Sequence, residues 1–172
     1  MHSANSTIQR FNDSTIIIAN RQRTKKINLR LLKQITKVLL AELKINGAEL
    51  GINLVAAREM TLINETFLRH EGATDVITFD YGNGAHGVAR PTLRGELFVC
   101  VNEAILQARP FNTDWQSEIV RYIIHGVLHL LGHDDLKSNL RRKMKRRENR
   151  LVRLLSKKFS LAQIGGGSKL RA

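Results

Sequence analysis

Cysteine occurs once in the 172 residues, at Cys100, so no disulfide can form within the chain and a multi-cysteine zinc site is excluded. That usage fits a reducing compartment, and the cytoplasm is the expected location. Long apolar runs are also missing. Nowhere do 18 apolar residues follow one another, so no membrane-spanning helix and no membrane partner are expected. Met1-His2-Ser3-Ala4-Asn5 has no apolar core behind a basic start, and no secretory signal is expected. Aromatic residues make up only 5%, and none falls within residues 137–158, the most basic segment, so a platform of stacked rings has little support there. Neither disorder nor a second domain is called for: 42% of the residues are hydrophobic and the length suits one domain.

Positive charge is what the chain has in excess, with a net of +13. Residues 1–136 are nearly balanced. Residues 137–158 hold eleven lysines and arginines against one acid, Glu148. A basic face concentrated in this way suits a polyanion such as RNA, and it equally suits a solvated, solubilising helix.

Residues 1–13 are polar and aperiodic and read as a loose lead-in, with the domain proper over 14–158 and a flexible glycine-containing tail over 159–172. Strands are expected at 14–20, 50–57, 74–79 and 96–101, where β-branched or alternating apolar residues cluster. Asn28 can cap a helix whose apolar stripe is Leu31, Leu32, Ile35, Val38, Leu39 and Leu43. A shorter helix is expected over 59–68, and a loop over 81–91. A linker containing Pro110 then leads to a helix from Trp115 to Leu131, capped by Asp114 and stopped by Gly132. A basic helix follows from Leu136 to Lys158, with Leu140, Met144, Leu151, Leu154 and Leu155 on its apolar face. This mixture predicts an α+β fold: one layered domain, a mixed β-sheet of about four strands packed with helices.

The densest chemistry lies in Ile124-His125-Gly126-Val127-Leu128-His129-Leu130-Leu131-Gly132-His133-Asp134-Asp135. His125 and His129 are four apart, so on a helix both imidazoles leave the same face and can share one zinc ion. Gly132 can turn the chain back, which lets Asp135 approach the same metal. A metal-binding helix followed by a glycine turn is a zincin-like arrangement. The long zinc-protease motif carries a catalytic Glu where Gly126 stands, and glycine cannot act as a base. Two histidines on an apolar helix can also be satisfied core residues, but burying three titratable groups together is costly without a use for them.

The segment resembles the His-Gly-x-Leu-His-Leu-x-Gly-x-Asp-His signature of the YbeY family of metal-dependent endoribonucleases, which act in ribosomal RNA maturation. It departs at the last position, where Asp135 replaces the third metal-binding histidine. The resemblance continues over about residues 14–158. Leu62-Ile63-Asn64 through Arg69 is similar to the family's Leu-Asn-x-x-(Tyr/Phe)-Arg, slightly offset. Ala73 to Phe79 resembles Pro-Thr-Asp-Val-Leu-Ser-Phe, Arg94-Gly95-Glu96-Leu97 resembles Leu-Gly-Asp-Ile, and Met144 with Glu148 resembles the Met-x-x-x-Glu of the final helix.

The resemblance implies a zinc-dependent endoribonuclease that hydrolyses phosphodiester bonds in ribosomal RNA precursors, with ribosomal proteins or a ribosomal subunit as further partners. In it His125, His129 and Asp135 hold the metal and Arg69, alone no more than a surface arginine, grips phosphate. His125, His129 and Arg69 are the implied catalytic residues. His133 is expected beside the site or facing substrate rather than as a ligand, Asp134 to fix the turn or a histidine tautomer, and Asp75 to give structural support. Water and the RNA 2′-hydroxyl both remain possible nucleophiles. A ribosome-assembly factor with a structural metal and a metallopeptidase are the other readings.

Overall fold

Four strands form one mixed sheet in the computed structural model, which describes residues 14–45, 47–82 and 92–166. They are β1 (Thr15–Asn20), β2 (Gly47–Val55), β3 (Val76–Asp80) and β4 (Thr92–Cys100), in the order β1-β2-β4-β3. The first two pairings are parallel, with Ile16 opposite Leu50 and Leu54 opposite Val99; β3 lies antiparallel to β4. The α+β expectation with a mixed four-stranded sheet is met.

Period-two alternation gives the sheet two dissimilar faces. On one, Ile16, Leu50, Ile52, Leu54, Leu97 and Val99 are buried in the main core. On the other, Val55, Ile77 and Cys100 close over Met60 of α2 (Ala57–Ile63) in a second, smaller core. The helix α1 (Leu29–Glu42) begins at Asn28, whose Oδ1 accepts the Leu31 amide at 3.1 Å, and it buries Leu32, Ile35 and Leu39 of the expected stripe. Each such side chain contributes roughly 1.5–3 kcal/mol on burial.

The centre of the molecule is α4 (Trp115–Leu130). Asp114 Oδ1 accepts the Ser117 amide at 2.7 Å to start it, and residues on nearly every side of it are buried. It packs on β3 and β4, on α3 (Val101–Ala108) and on α5 (Ser138–Lys158). Close approach to the sheet requires a glycine. A Cβ on Gly126 would lie 2.7 Å from Cδ2 of the fully buried Leu97.

Four expectations need correction. The linker before Pro110 is in part the helix α3, which follows β4 without a break; its buried positions are Val101, Ala104 and Ala108, too small and too few to stand out as an apolar stripe. The helix over 59–68 is α2 followed by a π turn at Asn64–Leu68. Strand β4 begins at Thr92 rather than Glu96. The tail is not flexible where it begins: Leu161–Gly165 forms a 3₁₀ turn that buries Leu161 and Ile164, and the Ile164 carbonyl accepts the Asn28 amide at 2.8 Å. The lead-in 1–13, most of the 81–91 loop and residues 167–172 lie outside the described residues.

Candidate metal centre and cleft

The last turn of α4 and the loop behind it bring His125, His129 and Asp135 together. Gly132 takes φ 84°, the left-handed conformation. The Gly132 amide donates to the His129 carbonyl at 2.8 Å and the His133 amide to the Leu128 carbonyl at 3.0 Å, the paired bonds of a Schellman stop. The chain reverses there, and the Asp134 carboxylate accepts the Leu136 amide at 2.9 Å to tighten the following turn. Asp135 is thereby returned to the helix face that carries the histidines.

The imidazole Nε2 atoms of His125 and His129 stand 2.9 Å apart. Asp135 Oδ2 lies 3.7 Å from the first and Oδ1 lies 3.8 Å from the second. The far side of each ring decides what these atoms carry. His125 Nδ1 lies 2.6 Å from Glu148 Oε1, and His129 Nδ1 lies 3.0 Å from the His133 carbonyl oxygen. Both partners accept, so each Nδ1 carries a proton, and a ring in its neutral form turns its Nε2 lone pair toward the other. Two lone pairs at that separation repel unless a cation lies between them. Donors of a four-coordinate zinc at ~2.0–2.1 Å stand roughly 3.3 Å apart, so the donor set fits one small divalent ion. Among the described residues, no other group of three such donors lies close enough to share an ion.

Glu148 is 7% exposed on α5. It is the one acid of the basic segment, and it is held in place by a chain of polar contacts. Arg121 Nη1 approaches Glu148 Oε2 at 3.8 Å and donates to Asn149 Oδ1 at 2.7 Å, while its Nε lies 3.5 Å from Glu118 Oε2. Thr113 Oγ1 donates to Glu118 Oε1 at 2.8 Å. Burial pulls the His125 ring down from the ordinary histidine value, but the Glu148 hydrogen bond and the negative charges of Glu148, Asp75 and Asp135 outweigh it and leave the ring above that value. Burial, then the charges of Arg147 and His129, hold His133 below it.

A cleft of about 460 Å³ opens from this centre between α4 and α5, with His125, Asp135 and Glu148 on its walls and Arg121, Arg141 and Lys145 supplying positive charge. Arg141 also braces the metal loop, its Nε donating to the Asp135 carbonyl at 3.1 Å.

The remaining sequence candidates divide. His133 is turned away, its Nε2 accepting from Arg147 Nη1 at 2.7 Å, and it stands outside the donor group. Asp134 fixes the turn, whereas the histidine tautomers are held by Glu148 and the His133 carbonyl. Asp75 Oδ1 accepts from Thr74 Oγ1 and the Val76 amide at the start of β3, and its side chain also lines the cleft. Arg69 is exposed at the end of the π turn and is not among the cleft-lining residues. Its offset from the Asn-x-x-(Tyr/Phe)-Arg pattern is one residue; the Arg69 amide reaches back to the Asn64 carbonyl to close the π turn, and Arg69 itself adopts φ 56°. Sequence reasoning gave Glu148 no role, although a lone acid among eleven basic residues was a visible signal.

The model of the endoribonuclease YbeY family matches residues 17–156. An endoribonuclease YbeY from Chlorobium luteolum is 33% identical over 138 residues, 80% of this chain and 96% of that protein. One from Syntrophotalea carbinolica is 31% identical over 146 residues, 84% of this chain and 97% of that protein. One from Myxococcus xanthus is 33% identical over 123 residues, 72% of this chain but 42% of that longer protein. The solution structure of TM1509 from Thermotoga maritima superposes with a TM-score of 0.60 at 22% identity, covering 92% of this chain and 99% of that one, and shares the fold. With the matched model running from within β1 through the other three strands and the His125–Asp135 motif, this chain belongs to the endoribonuclease YbeY family.

Proposed function

We propose that the protein is a zinc-dependent endoribonuclease that cleaves phosphodiester bonds in single-stranded segments of ribosomal RNA precursors in the cytoplasm. The observation that carries the metal centre is the convergence of the His125 and His129 Nε2 atoms on one point beside a carboxylate, each ring held from behind through its Nδ1. Family membership supplies the reaction class. His125, His129 and Asp135 would hold the ion, and three protein donors leave a coordination position open to substrate. A zinc ion there would act as a Lewis acid toward a phosphoryl oxygen and lower the pKa of water toward ~7.

The chain's own groups account for the rest. Glu148 and the His133 carbonyl orient the two rings; Lys145 and Arg121 favour the polyanion within the cleft; Arg69 would grip a phosphate farther along the RNA. The outward face of α5, with Arg142, Lys143, Arg146 and Arg150 exposed, would hold the backbone without reading sequence. A peptidase mechanism is disfavoured because Gly126 faces Leu97 and leaves no room for a catalytic glutamate.

Metal analysis of the purified protein, combined with cleavage of a single-stranded RNA before and after chelation, tests the reading. One zinc per chain and cleavage that disappears with the metal are expected. RNA binding that persists with no cleavage under any metal would leave an assembly factor instead.

A further inference from the structure

Beside the metal cleft lies a second cavity of about 420 Å³, within the usual range for small-molecule sites, between β3, α3 and α4. The two cavities share Asp75, Phe111 and Glu118, so one bound chain could occupy both. Their charges differ. In the metal cleft Arg121, Arg141 and Lys145 stand among Asp75, Glu118, Asp135 and Glu148, whereas the second cavity adds Glu103 to Asp75 and Glu118 and has no basic side chain among the described residues that line it. A phosphate would be repelled from that end, and a hydrogen-bond donor would be drawn into it.

The carboxylates do not form a cation site, since the group of three donors close enough to share an ion is the histidine centre alone among the described residues. They are also unequally engaged. Glu118 is tied to Thr113 and Arg121, and Asp75 Oδ1 to Thr74 and Val76. The Glu103 carboxylate makes no hydrogen bond or ion pair among the described residues. Independently, the Tyr122 hydroxyl on the cavity wall is buried without a partner among the described residues, in a residue only 4% exposed. Burial, then the charges of Asp75, Glu118 and Glu103, hold that hydroxyl well above its ordinary value, so it remains a proton donor. A buried donor without an acceptor costs ~1–3 kcal/mol, which a ligand acceptor would relieve. At the mouth Phe111 is 64% exposed, an apolar ring available for stacking.

We propose that this cavity is a nucleobase subsite that selects guanine next to the cleaved bond, an inference that rests on the endoribonuclease reading. Guanine presents N1–H and N2–H₂ side by side, which a free carboxylate accepts as a fork, and O6, which accepts from a hydroxyl. Glu103 takes the first pair of donors, Tyr122 donates to O6, and Phe111 covers the ring face. Adenine and uracil do not combine paired donors with a flanking acceptor in this way.

The test uses the full-length, metal-loaded protein and uridine oligoribonucleotides carrying a single guanosine, inosine, adenosine or cytidine. Inosine lacks only the 2-amino group. Cleavage is compared by kcat/KM and mapped on gels, and binding is followed by fluorescence anisotropy with 2′-O-methyl versions. Guanosine is expected to exceed inosine on the order of tenfold in both. Glu103→Gln should bring that ratio close to one, and Tyr122→Phe should lower the preference for guanosine over adenosine. Equal handling of guanosine and inosine by the native protein overturns the proposal, as does a ratio that both variants retain. A second manganese ion per chain, lost in Glu103→Gln, also overturns it and makes the cavity a cation site. A guanosine preference in binding with no cleavage of any RNA upholds the subsite and removes the endoribonuclease reading. Cleavage without base preference does the opposite.

Discussion

A glutamate in the most basic helix of the chain decides how His125 presents itself. Glu148 takes a place in the apolar row Met144, Leu151 and Leu155, where a charge is tolerated because Arg121 and His125 both meet it. Partners of this kind behind a ligand typically change metal affinity 10- to 100-fold. Glu148→Gln is therefore expected to weaken zinc binding by roughly that factor, measured by competition with a fluorescent chelator, with circular dichroism unchanged. Asp135→Ala should remove the ion, because its carboxylate completes the candidate donor group, whereas His133→Ala should retain it, because that ring is occupied with Arg147. Metal content of the two purified variants checks this, and the reverse pattern would make His133 the ligand. Gly126→Glu, which rebuilds the protease spelling, should destabilise the protein rather than create a peptidase, since a Cβ already meets Leu97. Overpacking of a core in this way costs ~1–3 kcal/mol or more, readable as a lowered urea midpoint.

At the scale of elements, strong local signals were legible in the sequence and weak ones were not. The helices α1 and α4 announced themselves by a side-chain cap and an apolar stripe, and the donor triad by a four-residue spacing with a glycine stop. The helix α3 hid because alanines fill its buried face, and the π turn hid because one extra residue leaves no compositional trace. The 3₁₀ turn after α5 hid behind its glycines, although Ile164 is fully buried. Ile164→Ala should accordingly cost roughly 2–5 kcal/mol, seen in urea unfolding, where a flexible tail would give no effect. The basicity of α5 is a separate matter from its packing, because the cations lie outside the buried row. Reversing Lys145, Arg146 and Arg150 should lower the slope of log affinity for RNA against log salt by roughly one for every phosphate no longer neutralised. An unchanged slope would reduce the outer face of α5 to a solubilising surface.

For the whole molecule, the candidate metal centre would tie together parts that the chain otherwise joins by one short loop. His125 and His129 belong to α4, Asp135 to the loop that leads into α5, and Glu148 to α5 itself. The donors converge only when these elements are packed, so an ion held by them would bind the folded state and find no comparable site on the unfolded chain. Binding of that kind stabilises by RT ln(1 + [L]/Kd), about 2.7 kcal/mol when free metal is a hundred times Kd. In a domain of this size each kcal/mol is worth roughly 2–4 °C. Adding zinc to chelator-stripped protein is therefore expected to raise Tm by about 5–10 °C, and to do so in proportion to the logarithm of free metal. The same titration on Asp135→Ala should give no comparable rise, because two imidazoles alone leave the ion loosely held and untied to the loop. Scanning calorimetry on both proteins decides the point. A rise that survives in Asp135→Ala would place the stabilising ion elsewhere, and no rise in the native protein would mean that the two lone pairs are kept apart by a proton instead of a metal.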